Sequence, residues 1–168
     1  MIITINNNNF YRKKNILEKE EIDKILQDVD YELKNNPCNE VPSYQTYPDL
    51  YLKYGNLFHW SKLYEIILSS IKEKIEGEYT LHKAWANLSK ENNNFQFHIH
   101  NVDLTCVYYL KNKYPEYGTK FENNVIIEAI ENSILFFNGD IPHSITNMPS
   151  EIAKNNSRYS IVLDFIRV

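Results

Sequence analysis

Two histidines separated by one residue, His98 and His100, head the stretch 98–110, HIHNVDLTCVYYL. On an extended strand alternate side chains leave the same face, so the two imidazoles would project together. Two imidazoles on one face can hold a metal ion, and one more ligand would close three corners of a site. His143, in the segment FFNGDIPHS, is the candidate for that corner. A single histidine more often fills an ordinary core or surface role, and His59 and His82 are read that way.

Imidazole suits iron, zinc, copper and nickel, and two His with one carboxylate make a facial set that leaves positions open on an iron. Here the residue two after His98 is a third imidazole, not an acid. Asp103 is the nearest carboxylate and would reach the site if its loop bulges. A second group able to bind a ligand lies further on. Arg158 stands near the start of the last apolar strand, with Ser160 two residues on and therefore on the same face. A guanidinium fork binds a carboxylate through two parallel hydrogen bonds, and a neighbouring hydroxyl adds a third. An Arg directed into a β core cannot stay unpaired there; at a surface strand start it would pair with an Asp or Glu instead. Tyr108 and Tyr109 point to opposite faces, so one of them faces the interior and its hydroxyl needs a partner. A carboxylate held by Arg158 would serve Tyr109, and so would a main-chain group.

The elements that must position these residues follow from the apolar pattern. Residues 2–5 read as a short β-branched strand that pairs with something later. Residues 16–34 read as a helix, because Ile22, Ile25, Leu26, Val29 and Leu33 recur at three and four, and Asn35-Asn36-Pro37 ends it. Residues 37–54 carry three prolines among four tyrosines and are too proline-rich for a central strand; they read as a covering loop or as one wall of a cleft. Residues 56–75 form a second amphipathic helix, with Gly77 after it. The rest is strand-like: 79–87, 95–98, 104–110, 125–130, 134–137 and 159–166, separated by turns at Asn92–Asn94, 112–117, Glu131-Asn132 and Asn155-Asn156. Short strands at this spacing indicate an antiparallel sandwich or open barrel, with the two helices packed against one side of a sheet. The Asn clusters, including Asn6–Asn9, are read as loop punctuation.

With 168 residues the chain is expected to form one domain, 1–76 mainly helical support and 77–168 the β core. A domain of this length buries roughly 70% of its unfolded surface, so neither disulfides nor a structural metal is needed for folding. The net charge of −4 and the lack of a basic tract do not indicate a nucleic-acid partner. Cys38, in a polar turn, and Cys106, in an apolar strand, read as reduced thiols, one exposed and one buried. Neither a signal peptide nor a membrane-length apolar run is visible, which leads to the expectation of a cytoplasmic protein.

Taken together, residues 85–168 resemble the iron(II)- and 2-oxoglutarate-dependent oxygenases, nearest their prolyl-hydroxylase-like branch and the short oxygenases of phages and marine bacteria. The matching pieces, in order, are His98-Ile99-His100, the strand Cys106 to Leu110, Phe136 to Ser144 with Gly139 before His143, and Arg158-Tyr159-Ser160. The resemblance implies an α+β fold with a double-stranded β-helix (jelly-roll) core. It implies His98 and His143 as iron ligands. Arg158, Ser160 and Tyr109 would bind the distal carboxylate of 2-oxoglutarate, and Fe(II), 2-oxoglutarate and O2 would serve as cofactors. The activity implied is a dioxygenase that hydroxylates a peptidyl-prolyl or small-molecule substrate. Strand parity adds Asn87 and Gln96 as candidate orienting groups. The departure is His100, which stands where the family has Asp or Glu: it is the third ligand, Asp103 is, or the metal site is lost. A cupin-like protein that binds a metal or ligand without oxidation is the alternative.

Overall fold

A computed structural model of the chain describes residues 1–5, 8–39, 44–89, 96–154 and 156–168. The expected turns at Asn6-Asn7 and Asn92–Asn94, Phe95, and Asn155 lie outside the described residues. Three strands come from the first third of the chain: β1 (Ile2–Ile5), β2 (Asn8–Lys14) and the two-residue β3 (Tyr44–Gln45). Helices α1 (Lys19–Asn35), α2 (Leu50–Tyr54) and α3 (Phe58–Lys74) alternate with them. Then follow β4 (Tyr79–Ser89), β5 (Leu104–Lys111), β6 (Thr119–Phe121), β7 (Ile126–Ile127), β8 (Ser133–Phe137), β9 (His143–Ile145), the one-turn α4 (Ser150–Ala153) and β10 (Arg158–Arg167).

The strands form a seven-stranded sheet, β1-β2-β8-β5-β10-β4-β3, and a three-stranded sheet, β7-β6-β9. Their pairings are antiparallel. The fold is α+β: two sheets form a double-stranded β-helix-like core, with the N-terminal helices on the outside of the larger one.

Alternation along the strands builds two cores. One face of the large sheet presents Ala84, Ala86, Cys106, Tyr108, Ile134, Phe136, Ile161 and Leu163 to Ile25 and Val29 of α1 and Trp60, Leu63 and Ile67 of α3. The other face presents Phe10, Val107, Tyr109, Leu135, Phe137 and Val162 to Phe121, Ile127 and Ala129 around the small sheet. The helices are tied together by polar bonds at their edges. Asp28 accepts from Trp60 Nε1 at 2.8 Å, and Glu21 takes Lys62 Nζ at 2.5 Å while also accepting the Glu18 amide at 2.8 Å. That second bond satisfies one of the donors a helix start leaves open.

Several expectations need correction. The expected strand at 2–5 pairs with a second, unexpected strand, β2, and both join the edge of the large sheet, so Asn8 and Asn9 lie in β2 rather than in a turn. The sequence NNFYRKK hides that strand: its polar residues break the apolar alternation, and Arg12 is buried by donating to the Glu128 carbonyl at 2.7 Å. The strand expected at 125–130 shrinks to Ile126–Ile127. Of the expected strand 95–98, the described part makes a single bridge at His98. Cys38 is buried, not exposed, under its amide bond to the Gln45 carbonyl. Both cysteines are free thiols. Among the described residues no helix is long and apolar enough to cross a membrane.

Candidate metal centre

The inner face of the large sheet carries the site in rows set by strand register. Asn87 on β4, Ser160 on β10 and Tyr109 on β5 stand abreast. Trp85, Val162 and Val107 form the next row, and Lys83, Asp164 and Thr105 the one after. Arg158 lies at the far end, opposite Ser89. Alternation on β10 alone therefore sends Arg158, Ser160, Val162 and Asp164 into the same space. That space is a cavity of about 560 Å³ between the sheets, and all four line it.

His98, His100 and His143 converge at this cavity, each with a ligand nitrogen within 4.8 Å of the others. Their ring centroids are 5.3 Å (His98–His100), 4.6 Å (His98–His143) and 5.0 Å (His100–His143) apart. His98 and His143 are locked side by side by reciprocal backbone bonds of 3.0 Å, and the His100 amide bonds the Gly139 carbonyl at 2.8 Å. Gly139 is required by this close approach: a Cβ there would strike the Val102 carbonyl oxygen.

The Nδ1 of all three rings is held by an oxygen that can only accept. His98 Nδ1 meets the Gln96 carbonyl at 3.1 Å, His143 Nδ1 the Ile141 carbonyl at 2.9 Å, and His100 Nδ1 the Asp164 carboxylate at 2.8 Å. The proton must sit on Nδ1, so Nε2 carries the lone pair in each neutral ring. Burial disfavours the charged form and pushes His143 down to about 4; the His98 ring, though its residue is exposed overall, is partly desolvated at the cavity and lies below its usual range. Neutral rings at neutral pH are what metal binding needs.

Arg158 is 3% exposed. It donates to the Tyr117 carbonyl, to the Gly118 carbonyl at 3.5 Å and to Ser89 Oγ at 3.2 Å. Among the described residues no carboxylate pairs with it. Burial draws its pKa down to about 10, which leaves it charged at neutral pH. Tyr109 shares a 2.7 Å bond with Thr119 Oγ1, and burial pushes its hydroxyl up to about 12, so it remains a donor. Tyr108 faces the helices and bonds Asn132 Oδ1 at 3.1 Å.

Asn87 lines the cavity beside Ser160. Gln96 does not line it; its main chain, not its side chain, orients His98. Asp103 is also kept away from the imidazoles. Its carboxylate accepts the Arg167 amide at 2.8 Å, and it lines a separate surface pocket. The acid that reaches one of the imidazoles, His100, is Asp164, distant in sequence from all three. His82, Gln45 and Pro48 also line the cavity, so from the proline-rich segment Gln45 and Pro48 border the cleft. His59, by contrast, pairs with Asp28 among the helices.

No known protein-family profile matches the sequence, and no curated protein does. Solved structures do match. The viral collagen prolyl hydroxylase of Paramecium bursaria Chlorella virus-1, in its 2-oxoglutarate complex, superposes with a TM-score of 0.69 at 14% identity, over 95% of this chain and 96% of that one. The fold is that of the 2-oxoglutarate- and Fe(II)-dependent oxygenases. HygX from Streptomyces hygroscopicus, with nickel and 2-oxoglutarate bound, matches at a TM-score of 0.68 and 10% identity, covering 95% of this chain and 83% of that one. The 2-oxoglutarate-dependent epimerase SnoN of nogalamycin biosynthesis matches at 0.69 and 14%, covering 94% and 78%. In the context of the oxygenase fold, the cavity between the sheets is the expected place for a ligand.

Proposed function

We propose that the chain is an iron(II)- and 2-oxoglutarate-dependent dioxygenase that hydroxylates its substrate. One observation carries the reading: a single cavity joins three convergent imidazoles to a buried guanidinium with no carboxylate partner among the described residues. Three imidazoles fit a divalent first-row metal. His98, His100 and His143 would hold it through Nε2. A buried Arg without a counter-charge fits an anionic ligand, and Arg158, with Ser160 and Tyr109, would take the distal carboxylate of 2-oxoglutarate. Because imidazole ligands bring no negative charge to a metal, the dianionic keto acid would balance the metal's charge. The bound metal, keto acid and O2 supply the oxidising chemistry. The residues of the chain bind and orient, while Val107 and Val162 give the cavity an apolar wall that excludes water.

The substrate would enter past Trp85, Pro48 and the His82–Lys83 rim. Solved neighbours include a collagen prolyl hydroxylase and a protein holding hygromycin B. Both peptidyl-prolyl and small-molecule substrates are therefore compatible with the fold.

The test is thermal stability with Mn(II) as an iron surrogate, with and without 2-oxoglutarate, for wild type and Arg158→Ala. A ligand that binds only the folded state at a hundred times its dissociation constant adds about 2.7 kcal/mol. The expected result is a rise with metal, a further rise with 2-oxoglutarate, and loss of the second rise alone in Arg158→Ala. A rise with metal alone would move the assignment to the cupin-like reading, and no rise with metal would remove both.

A further inference from the structure

Asp164 is a buried carboxylate, 4% exposed, in the apolar run of β10. Its Oδ1 accepts from His100 Nδ1 at 2.8 Å and from the Thr105 hydroxyl at 2.9 Å. Thr105 Oγ1 also lies 3.2 Å from His100 Nδ1, closing a three-membered cluster. Among the described residues no Lys or Arg forms an ion pair with Asp164; its partner is the imidazole. Lys83 stands opposite it in the β4 register without bonding it. A buried carboxylate needs hydrogen-bond donors, and the His100 ring and the Thr105 hydroxyl supply them.

We infer that Asp164 is the acidic member of the metal site, acting through His100 rather than on the ion. The inference rests on the metal-binding part of the proposed function. The bond to Nδ1 fixes the tautomer and aims Nε2 at the site, and a carboxylate behind an imidazole makes that ring a stronger donor. A cation on Nε2 would in turn place a positive charge one ring away from the buried Asp164. The site thus carries the formal charge of a two-His, one-carboxylate set, with the negative charge moved one ring outward. Two further contacts support the ring's placement: the His100 amide on the Gly139 carbonyl and the Trp85 ring at 5.4 Å. Asp164 is a positioning residue, and a merely structural carboxylate in the same place would behave differently in one respect. Replacing His100 by an acid would restore a carboxylate ligand but set it against Asp164, so the effect of neutralising Asp164 should change sign.

The experiment measures Co(II) and Mn(II) dissociation constants, by absorbance titration and by thermal shift, in the full chain. The variants are Asp164→Asn, His100→Asp, the double variant, and Thr105→Val. Asp164→Asn is expected to weaken binding about 10- to 100-fold when His100 is present and to strengthen it in the His100→Asp background. Thr105→Val keeps the charge and the His100 bond, and is expected to stay within about threefold of wild type by the same reasoning. Equal affinity of wild type and Asp164→Asn overturns the inference, as does weakening of similar size in both backgrounds. Should Asp164→Asn alone not fold, His100→Asp against the double variant decides: tighter binding in the double variant supports the inference, and equal or weaker binding overturns it. A wild type that binds neither metal overturns the inference and the proposed metal site together. A wild type that binds metal while Asp164→Asn has no effect overturns the inference alone.

Discussion

His98 and His143, 45 positions apart, exchange both of their backbone hydrogen bonds at 3.0 Å and form an isolated antiparallel bridge. This bridge fixes the separation of two imidazoles before any ligand arrives, so little ordering entropy remains to be lost on binding. His98→Ala should abolish the stabilisation by Mn(II). Because His98 is exposed, the same change should leave the metal-free stability within about 0.5 kcal/mol of wild type. Melting curves with and without metal check both halves of the expectation.

Gly139→Ala should damage the site without touching a ligand. The added methyl meets the Val102 carbonyl and lies 2.8 Å from Val102 Cγ2, so the His100 segment must move away from the Gly139 carbonyl. A loss of about 1–3 kcal/mol in stability is expected from such overpacking, together with weaker metal binding. Urea unfolding and metal titration measure the two effects separately.

Acid should destabilise the metal-free protein through His143. Burial lowers the folded-state pKa of this ring to about 4, against 6.5 for the exposed group. Above pH 6.5 both states hold a neutral ring and the group contributes no slope. As the pH falls from about 6.5 to about 4, the unfolded chain binds a proton that the folded state refuses, and stability declines by roughly 3 kcal/mol in total. His98 is shifted in the same direction and adds to the decline. The urea midpoint should therefore fall between pH 7 and pH 4.5, and His143→Gln should flatten that fall.

Arg158→Lys should not preserve 2-oxoglutarate binding. Lysine keeps the charge but loses the planar fork that addresses two carboxylate oxygens. Loss of one charge-assisted bond, worth about 1.5–3 kcal/mol, corresponds to roughly a 10- to 100-fold weaker affinity. Calorimetry with 2-oxoglutarate and Mn(II) reads this directly, and the affinity for the metal alone should not change.

Asn132 should be a stability residue far from the chemistry. Its backbone is left-handed, at φ 55°. Its Oδ1 accepts from the Ile16 and Leu17 amides at 3.1 and 3.0 Å and from the Tyr108 hydroxyl at 3.1 Å, while Nδ2 donates to the Leu17 carbonyl at 2.8 Å. Asn132→Ala should cost about 2–4 kcal/mol from these lost bonds and the unfavourable φ. Denaturant unfolding measures it, with metal binding unaffected.

Much of this arrangement is written locally in the sequence. The apolar repeats of 16–34 and 56–75 and the β-branched and aromatic runs of β4, β5, β8 and β10 each bury a face set by a period of 3.6 or 2, whatever the rest of the chain does. The same parity places Arg158 with Ser160 and Asn87 on the cavity face, and makes His98 and His100 neighbours. The tertiary structure alone decided which groups meet. Strands of two or three residues, such as β6, β7 and β9, cannot announce themselves by period, because pairing and not propensity makes them. The bridge from His98 to His143 needs both sheets in place. Sequence proximity favoured Asp103 as the carboxylate near the imidazoles, but the chain turns that side chain outward onto the Arg167 amide. Asp164, an acid within an apolar strand, marks a charge that must be compensated somewhere in the interior. Its partner, His100, lies 64 residues away; the register of β10 against β5 sets Asp164 opposite Thr105, and the loop before β5, held by the His100 amide on the Gly139 carbonyl, brings the ring to it.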